Sequence, residues 1–144
     1  MRKRKPVDIQ DLNTPDEPEF DALSKRVIGC AIEVHKTLGP GLLESIYEES
    51  LSIEMSRQGL RFRRQVEVPV AYKGVLTGGV ARADFIVEDV LCIEIKAVEN
   101  LLTVHRAQLH TYLKLFDLQI GLLLNFNTFH LSEGIRRVTR HEGY

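Results

Sequence analysis

The sequence predicts an α/β domain: a mixed central β-sheet flanked by helices. Three observations carry this. Two segments between Phe20 and Gln58 repeat apolar residues at helical spacing, β-branched residues then take over from Phe62, and the run Gln119 to Asn125 is almost wholly apolar, as a strand buried on both faces requires. The 144 residues, 44% hydrophobic and 27% charged, fit one ordinary globular domain.

The elements follow in order. Residues 1–19 contain Pro6, Pro15 and Pro18 with little apolar patterning and read as a flexible N-terminal arm; residues 20–144 read as the single domain. From Phe20 the stripe Leu23, Val27, Cys30, Ala31, Val34 and Leu38 predicts a helix that Gly39-Pro40-Gly41 ends. Leu43, Tyr47, Leu51 and Met55 predict a second helix to about Gln58, with Gly59 as its C-terminal cap. Phe62 to Tyr72 alternates as a strand in which Pro69 signals an edge or a bulge. Gly74, Gly78 and Gly79 predict a turn region, and Val80 to Lys96 a hairpin. Leu101 to about Phe116 is a third helix, with Leu102, Leu109, Leu113 and Phe116 inward. Strands over Gln119–Asn125 and Gly134–Arg140 complete the order α-α-β-β-β-α-β-β.

Composition excludes several classes. No apolar run approaches the roughly 18 residues of a membrane span, and the basic start Met1 to Lys5 has no apolar region after it, so a cytoplasmic chain without membrane partners is expected. Cys30 and Cys92 sit in apolar segments without CxxC spacing, which predicts buried thiols rather than a disulfide or zinc site. The formal net charge of −1 does not advertise nucleic-acid binding, but six acids, Asp8, Asp11, Asp16, Glu17, Glu19 and Asp21, offset basic clusters at Arg57–Arg64 and Arg136–Arg140. Solvated faces account for those clusters as well as a substrate does. Phosphate loops, dinucleotide fingerprints, nucleophile elbows and Cys/His metal clusters are missing.

The chemistry concentrates in the hairpin. Asp84 is followed ten residues later by Glu94 and then Lys96. Strand alternation puts Arg82, Asp84 and Ile86 on one face, and Cys92, Glu94 and Lys96 on one face of the next strand. A three-residue loop, Glu88-Asp89-Val90, would pair Val87 with Leu91 and set Asp84 opposite Glu94; a two-residue loop would separate them. Burying even a neutral unpaired polar group costs roughly 2–7 kcal/mol, so such a set on one face calls for a reason. Two carboxylates and an ammonium on a rigid sheet suit a divalent cation with an activating charge beside it. A surface hairpin with a Glu94–Lys96 pair is the plain alternative.

Two helices add candidates. Glu44 opens the second helix, with Tyr47 and Glu48 on its face, and could serve the site or merely favour the helix dipole. His105, Gln108 and Tyr112 share a side of the third helix and could orient a phosphate, a water or Lys96; a half-exposed face explains them equally. His110 reads as a surface residue. His35 could approach Glu44 or cap its own helix.

Gly41-Leu42-Leu43-Glu44-Ser45-Ile46-Tyr47 spells G-x-x-E-x-x-Y. With Ala83-Asp84, Glu94-Ile95-Lys96 and the Q-x-x-x-Y of Gln108 to Tyr112, the chain resembles the GxxExxY family of the PD-(D/E)XK nuclease superfamily, with a RecB-like core, over about Phe20 to Arg140. Ala83 stands where the name-giving proline would be. The resemblance implies a restriction-endonuclease-like fold, with Mg²⁺ or Mn²⁺ held by Asp84, Glu94, Glu44 and the Ile95 carbonyl. It implies that Lys96 orients or activates the attacking water, and that Gln108 and Tyr112, with Tyr47 and His105 nearby, support substrate. The expected activity is metal-dependent phosphodiester hydrolysis of nucleic acid, DNA favoured over RNA. The alternatives are a non-catalytic nucleic-acid- or protein-binding module and a subunit that cuts only with a protein partner. A domain this small offers little surface to hold a duplex, so a homodimer is expected, with residues 6–19 as the segment that could cross to its neighbour.

Overall fold

A computed structural model describes residues 21–141. The arm and its crossing segment lie outside the described residues. The described chain runs α1 (Ala22–Leu38), α2 (Glu44–Arg57), β1 (Phe62–Tyr72), β2 (Val75–Val87), β3 (Leu91–Lys96), α3 (Thr103–Phe116), β4 (Ile120–Asn125), a 3₁₀ turn Leu131–Gly134, and β5 (Ile135–Thr139). The five strands lie in the order β1-β2-β3-β4-β5. Only the β3–β4 pair is parallel, because α3 is the crossover between them. This is the mixed sheet expected, with α1 and α2 on one face and α3 on the other.

Local chemistry sets the element ends. Asp21 caps α1 by accepting from the Ser24 N–H at 2.8 Å, and Gly39 ends it at φ 74°. Val27, Cys30, Ala31 and Val34 of the expected stripe are buried, as are Tyr47, Leu51 and Met55 of α2. Leu38 and Leu43 are exposed, because the first ends α1 and the second is the residue before α2. Leu102 likewise precedes α3 and is exposed. Cys30 and Cys92 are buried free thiols.

The structure corrects three readings. The β1–β2 turn is Lys73-Gly74, and Gly78 and Gly79 lie inside β2. Lys73 and Gly74 both have positive φ, at 50° and 81°, the geometry two-residue hairpin turns favour. Pro69 sits where the β1 register slips, between Pro69 and Ala71, on the edge strand. His110 is buried rather than superficial, its Nε2 3.0 Å from the Arg140 carbonyl oxygen. The His35 side chain bonds away from its own helix rather than to its last carbonyls: it packs inward, Nε2 2.8 Å from the Thr128 carbonyl oxygen.

The far end of β3 is braced from behind. The Asn125 side chain donates to the Val98 carbonyl at 2.9 Å and accepts from the Val98 N–H at 3.0 Å, fixing the segment after Lys96. The Phe126 N–H donates to the Lys96 carbonyl at 2.9 Å. Gly134 packs so tightly on Asn125 that any Cβ there would collide with the Asn125 carbonyl oxygen. Gly134→Ala is therefore expected to cost about 1–3 kcal/mol, read as a lower urea midpoint. An unchanged midpoint would show that this junction yields freely.

Candidate active site

The hairpin loop is Glu88-Asp89-Val90, and Val87 pairs with Leu91, Ile86 with Cys92 and Phe85 with Ile93. Backbone pairing of β2 with β3 ends there. One step further out stand Asp84 and Glu94, and their side chains take over. The Glu94 Oε1 accepts from the Asp84 N–H at 3.0 Å, while the Asp84 Oδ2 accepts from the Ile95 N–H at 2.8 Å. Each carboxylate thus satisfies a backbone donor on the opposite strand, and the expected register holds.

Strict alternation fails at this step. Ile86 and Ala83 both pack on the α3 side, and Phe85 on the α1/α2 side. Across from Asp84, Gln65 has φ 49°, and the Gln65–Asp84 step is the one missing from the run of β1–β2 pairs between Phe62–Val87 and Pro69–Val80. The left-handed residue takes this step out of the regular pleat.

Other groups gather around the pair. The Ala97 N–H faces the Glu44 carboxylate, and the Lys96 ammonium and Asp84 act on it. Glu44 carries a raised pKa because partial desolvation outweighs Lys96. Burial likewise raises Asp84, against the Ile95 N–H and Gln65, which lower it. Glu94 is 6% exposed, and burial followed by the Asp84 charge pushes its carboxyl up to about 8. The Lys96 charge lowers Asp84 and Glu94 as well as Glu44. Tyr112 is raised by burial and then by Glu94, with the Arg82 N–H facing its hydroxyl. Gln108 Nε2 lies 3.4 Å from the Tyr112 hydroxyl, so this pair reaches the site through the tyrosine.

Two expected residues serve elsewhere. Tyr47 is fully buried and stacks on Phe126 at 4.7 Å between ring centroids. Its hydroxyl donates to the Gly39 carbonyl at 2.6 Å and accepts from the Leu42 N–H at 3.0 Å, so it shapes the turn that presents Glu44. The His105 Nδ1 accepts from the Leu102 N–H at 3.0 Å, closing the start of α3. The structure adds Gln65 and Glu48: Gln65 Nε2 donates to Glu48 Oε1 at 2.6 Å and to Asp84 Oδ1 at 3.1 Å. The basic cluster of β1 is committed to ion pairs, with Arg64 donating to Glu48 and Glu49 at 2.8 Å each, and Arg61 to Glu88 at 3.0 Å.

The donor chemistry fits a hard divalent ion. Asp84, Glu94 and Glu44 offer carboxylate oxygens, and a cation would relieve the repulsion that raises Glu94. No group of three or more His, Cys, Asp or Glu side chains stands at metal-holding distance among the described residues, so the full set is not preassembled.

A family model described as the PD-(D/E)XK nuclease superfamily matches residues 21–138. No curated protein matches the chain. No solved structure matches it either. No helix among the described residues is long and apolar enough to cross a membrane.

Proposed function

Since this chain belongs to the PD-(D/E)XK nuclease superfamily, we propose that it is a metal-dependent phosphodiesterase of the GxxExxY type, hydrolysing nucleic acid and favouring DNA. The observation that carries the reading is the meeting of Asp84 and Glu94 across β2 and β3, each carboxylate bonded to a backbone N–H of the other strand, with Glu94 buried and its carboxyl pushed up to about 8. Two acids brought together and desolvated on adjacent strands suit a cation that offsets their charges.

Asp84 and Glu94, with Glu44 and the Ile95 carbonyl, would hold Mg²⁺ or Mn²⁺. When bound, the ion supplies Lewis acidity toward a phosphoryl oxygen and toward the attacking water. The chain's own residues do the remaining work. Lys96 orients the water through its ammonium and offsets charge developing on the phosphate. Its aim is steadied because Phe126 holds its carbonyl and Asn125 grips Val98 two residues later. Tyr112, held beside Gln108, offers a neutral hydroxyl toward the same acids. A homodimer, or a protein partner that adds recognition, would enlarge the small surface available to substrate. Two buried free thiols suit a reducing cytoplasm.

A second reading, a binding module that turns over nothing, draws on the backbone bonds that Asp84 and Glu94 already make. One assay separates them. With Mg²⁺ or Mn²⁺, labelled DNA and RNA should be hydrolysed, Ca²⁺ should block the reaction, and Lys96→Ala should abolish it. Nucleic-acid binding without cleavage under either ion, unchanged in Lys96→Ala, favours the module.

A further inference from the structure

We propose that Gln65 is a positioning residue: it locks the Asp84 carboxylate in one orientation and ties it to α2. The inference rests on the metal-dependent reading above and goes beyond its ligand set. Gln65 stands on the edge strand β1, in the left-handed region at φ 49°, where a residue with a Cβ rarely settles. Such outliers persist where the surroundings over-determine them, and they cluster at functional sites.

The side chain shows what the backbone conformation achieves. Both N–H groups of the amide are used, one toward Glu48 Oε1 and one toward Asp84 Oδ1. Neither acceptor is loose. Glu48 Oε2 accepts from Arg64 at 2.8 Å, and Asp84 Oδ2 accepts from the Ile95 N–H at 2.8 Å. Asp84 is therefore held from both neighbouring strands, by Gln65 on β1 and Ile95 on β3. Through Glu48 it is also joined to α2, which carries Glu44 one turn earlier. A carboxylate fixed at both oxygens keeps its remaining lone pairs aimed, as outer partners of metal ligands generally ensure.

The backbone and side-chain roles separate cleanly by substitution. Asparagine and glycine both accept a left-handed φ more readily than glutamine. Asparagine keeps an amide but is one methylene shorter, and glycine has none, so neither spans Glu48 and Asp84. Gln65→Asn and Gln65→Gly should melt within a few degrees of wild type. Both should weaken Mn²⁺ binding to the full chain about 10–100-fold by calorimetry. They should lower kcat on labelled DNA while leaving KM for the DNA unchanged. A clamp that only holds the hairpin would instead lower the melting temperature and leave Mn²⁺ affinity intact. Asp84→Asn, titrated alongside, marks the signal of a lost ligand.

Wild-type protein that binds Mn²⁺ together with Gln65 variants that bind it equally or more tightly overturns this inference alone. Wild-type protein that binds no Mn²⁺ overturns the metal-dependent reading, and this inference with it.

Discussion

Asp84→Asn should remove phosphodiester hydrolysis, with kcat down at least about 10²–10³-fold, and leave the protein as stable as before or slightly more so. The two halves have one cause. In the metal-free protein Asp84 and Glu94 are forced together, and the Glu94 carboxyl is raised first by burial and then by the Asp84 charge. Neutralising Asp84 relieves that repulsion. The amide oxygen of an asparagine can still accept from the Ile95 N–H, and the exposed Gln65 amide, which loses its acceptor there, keeps Glu48 and can turn to water. Chemical denaturation should give a midpoint at or above wild type, while calorimetry shows no divalent binding. A structural ion pair predicts the reverse: losing one member of a buried pair costs about 3–5 kcal/mol. An Asp84→Asn protein that is markedly less stable, from a wild type that binds no divalent ion, would leave the fold as a scaffold with another use.

The second large effect is a pH dependence of stability in EDTA. Glu94 titrates at about 8 in the folded protein, against an ordinary value of 4.5. Between those values the folded state holds a proton that the unfolded chain has released. The stabilisation is complete below about 4.5 and is lost as pH rises through about 8. At about 1.4 kcal/mol per pH unit, the window carries up to about 5 kcal/mol. The raised Asp84 adds to it in the same direction. Urea midpoints measured from pH 5 to pH 9 should fall for wild type and fall much less for Glu94→Gln. Equal slopes in both proteins would assign the dependence to other groups. Divalent affinity should rise across the same window, because ligand carboxylates must shed their protons to bind.

Much of this site was legible in the sequence because strands are periodic and short loops fix register. The loop Glu88-Asp89-Val90 alone sets Val87 against Leu91, and Asp84 next to Glu94 follows. Glu44 was legible as the first acid of a helix, although only the packed structure brings it to the Ala97 N–H. Gln65 was not legible: an exposed glutamine on a strand has no pattern of its own. It could have been found by choosing Lys73-Gly74 as the turn and letting Pro69 slip the register, which carries Gln65 across to Asp84. The glycine pair Gly78-Gly79 drew the turn away from that place. Tyr47 and His105 went astray for a shared reason. Helical spacing tells which residues lie on one face, but not whether that face meets a pocket, the core or the helix's own end. Tyr47 meets Phe126, 79 positions later in the chain, a contact no local pattern contains.

The stack of Tyr47 on Phe126 has a bearing on biosynthesis. A chain leaving the ribosome N-terminal end first has exposed Glu44, Asp84, Glu94 and Lys96 well before Asn125 and Phe126. Until those last residues arrive, the Lys96 carbonyl lacks its Phe126 partner, Val98 lacks Asn125, and the tyrosine beneath Glu44 has nothing to stack on. The parallel β3–β4 pairing also waits for α3 to fold back, a non-local step that is slow by nature. These acids and the lysine are thus present early and aligned late. A truncated or half-made copy carries Glu44, Asp84 and Glu94 without the frame that aims them, so the order of synthesis puts the arrangement of these acids among the last things the chain acquires.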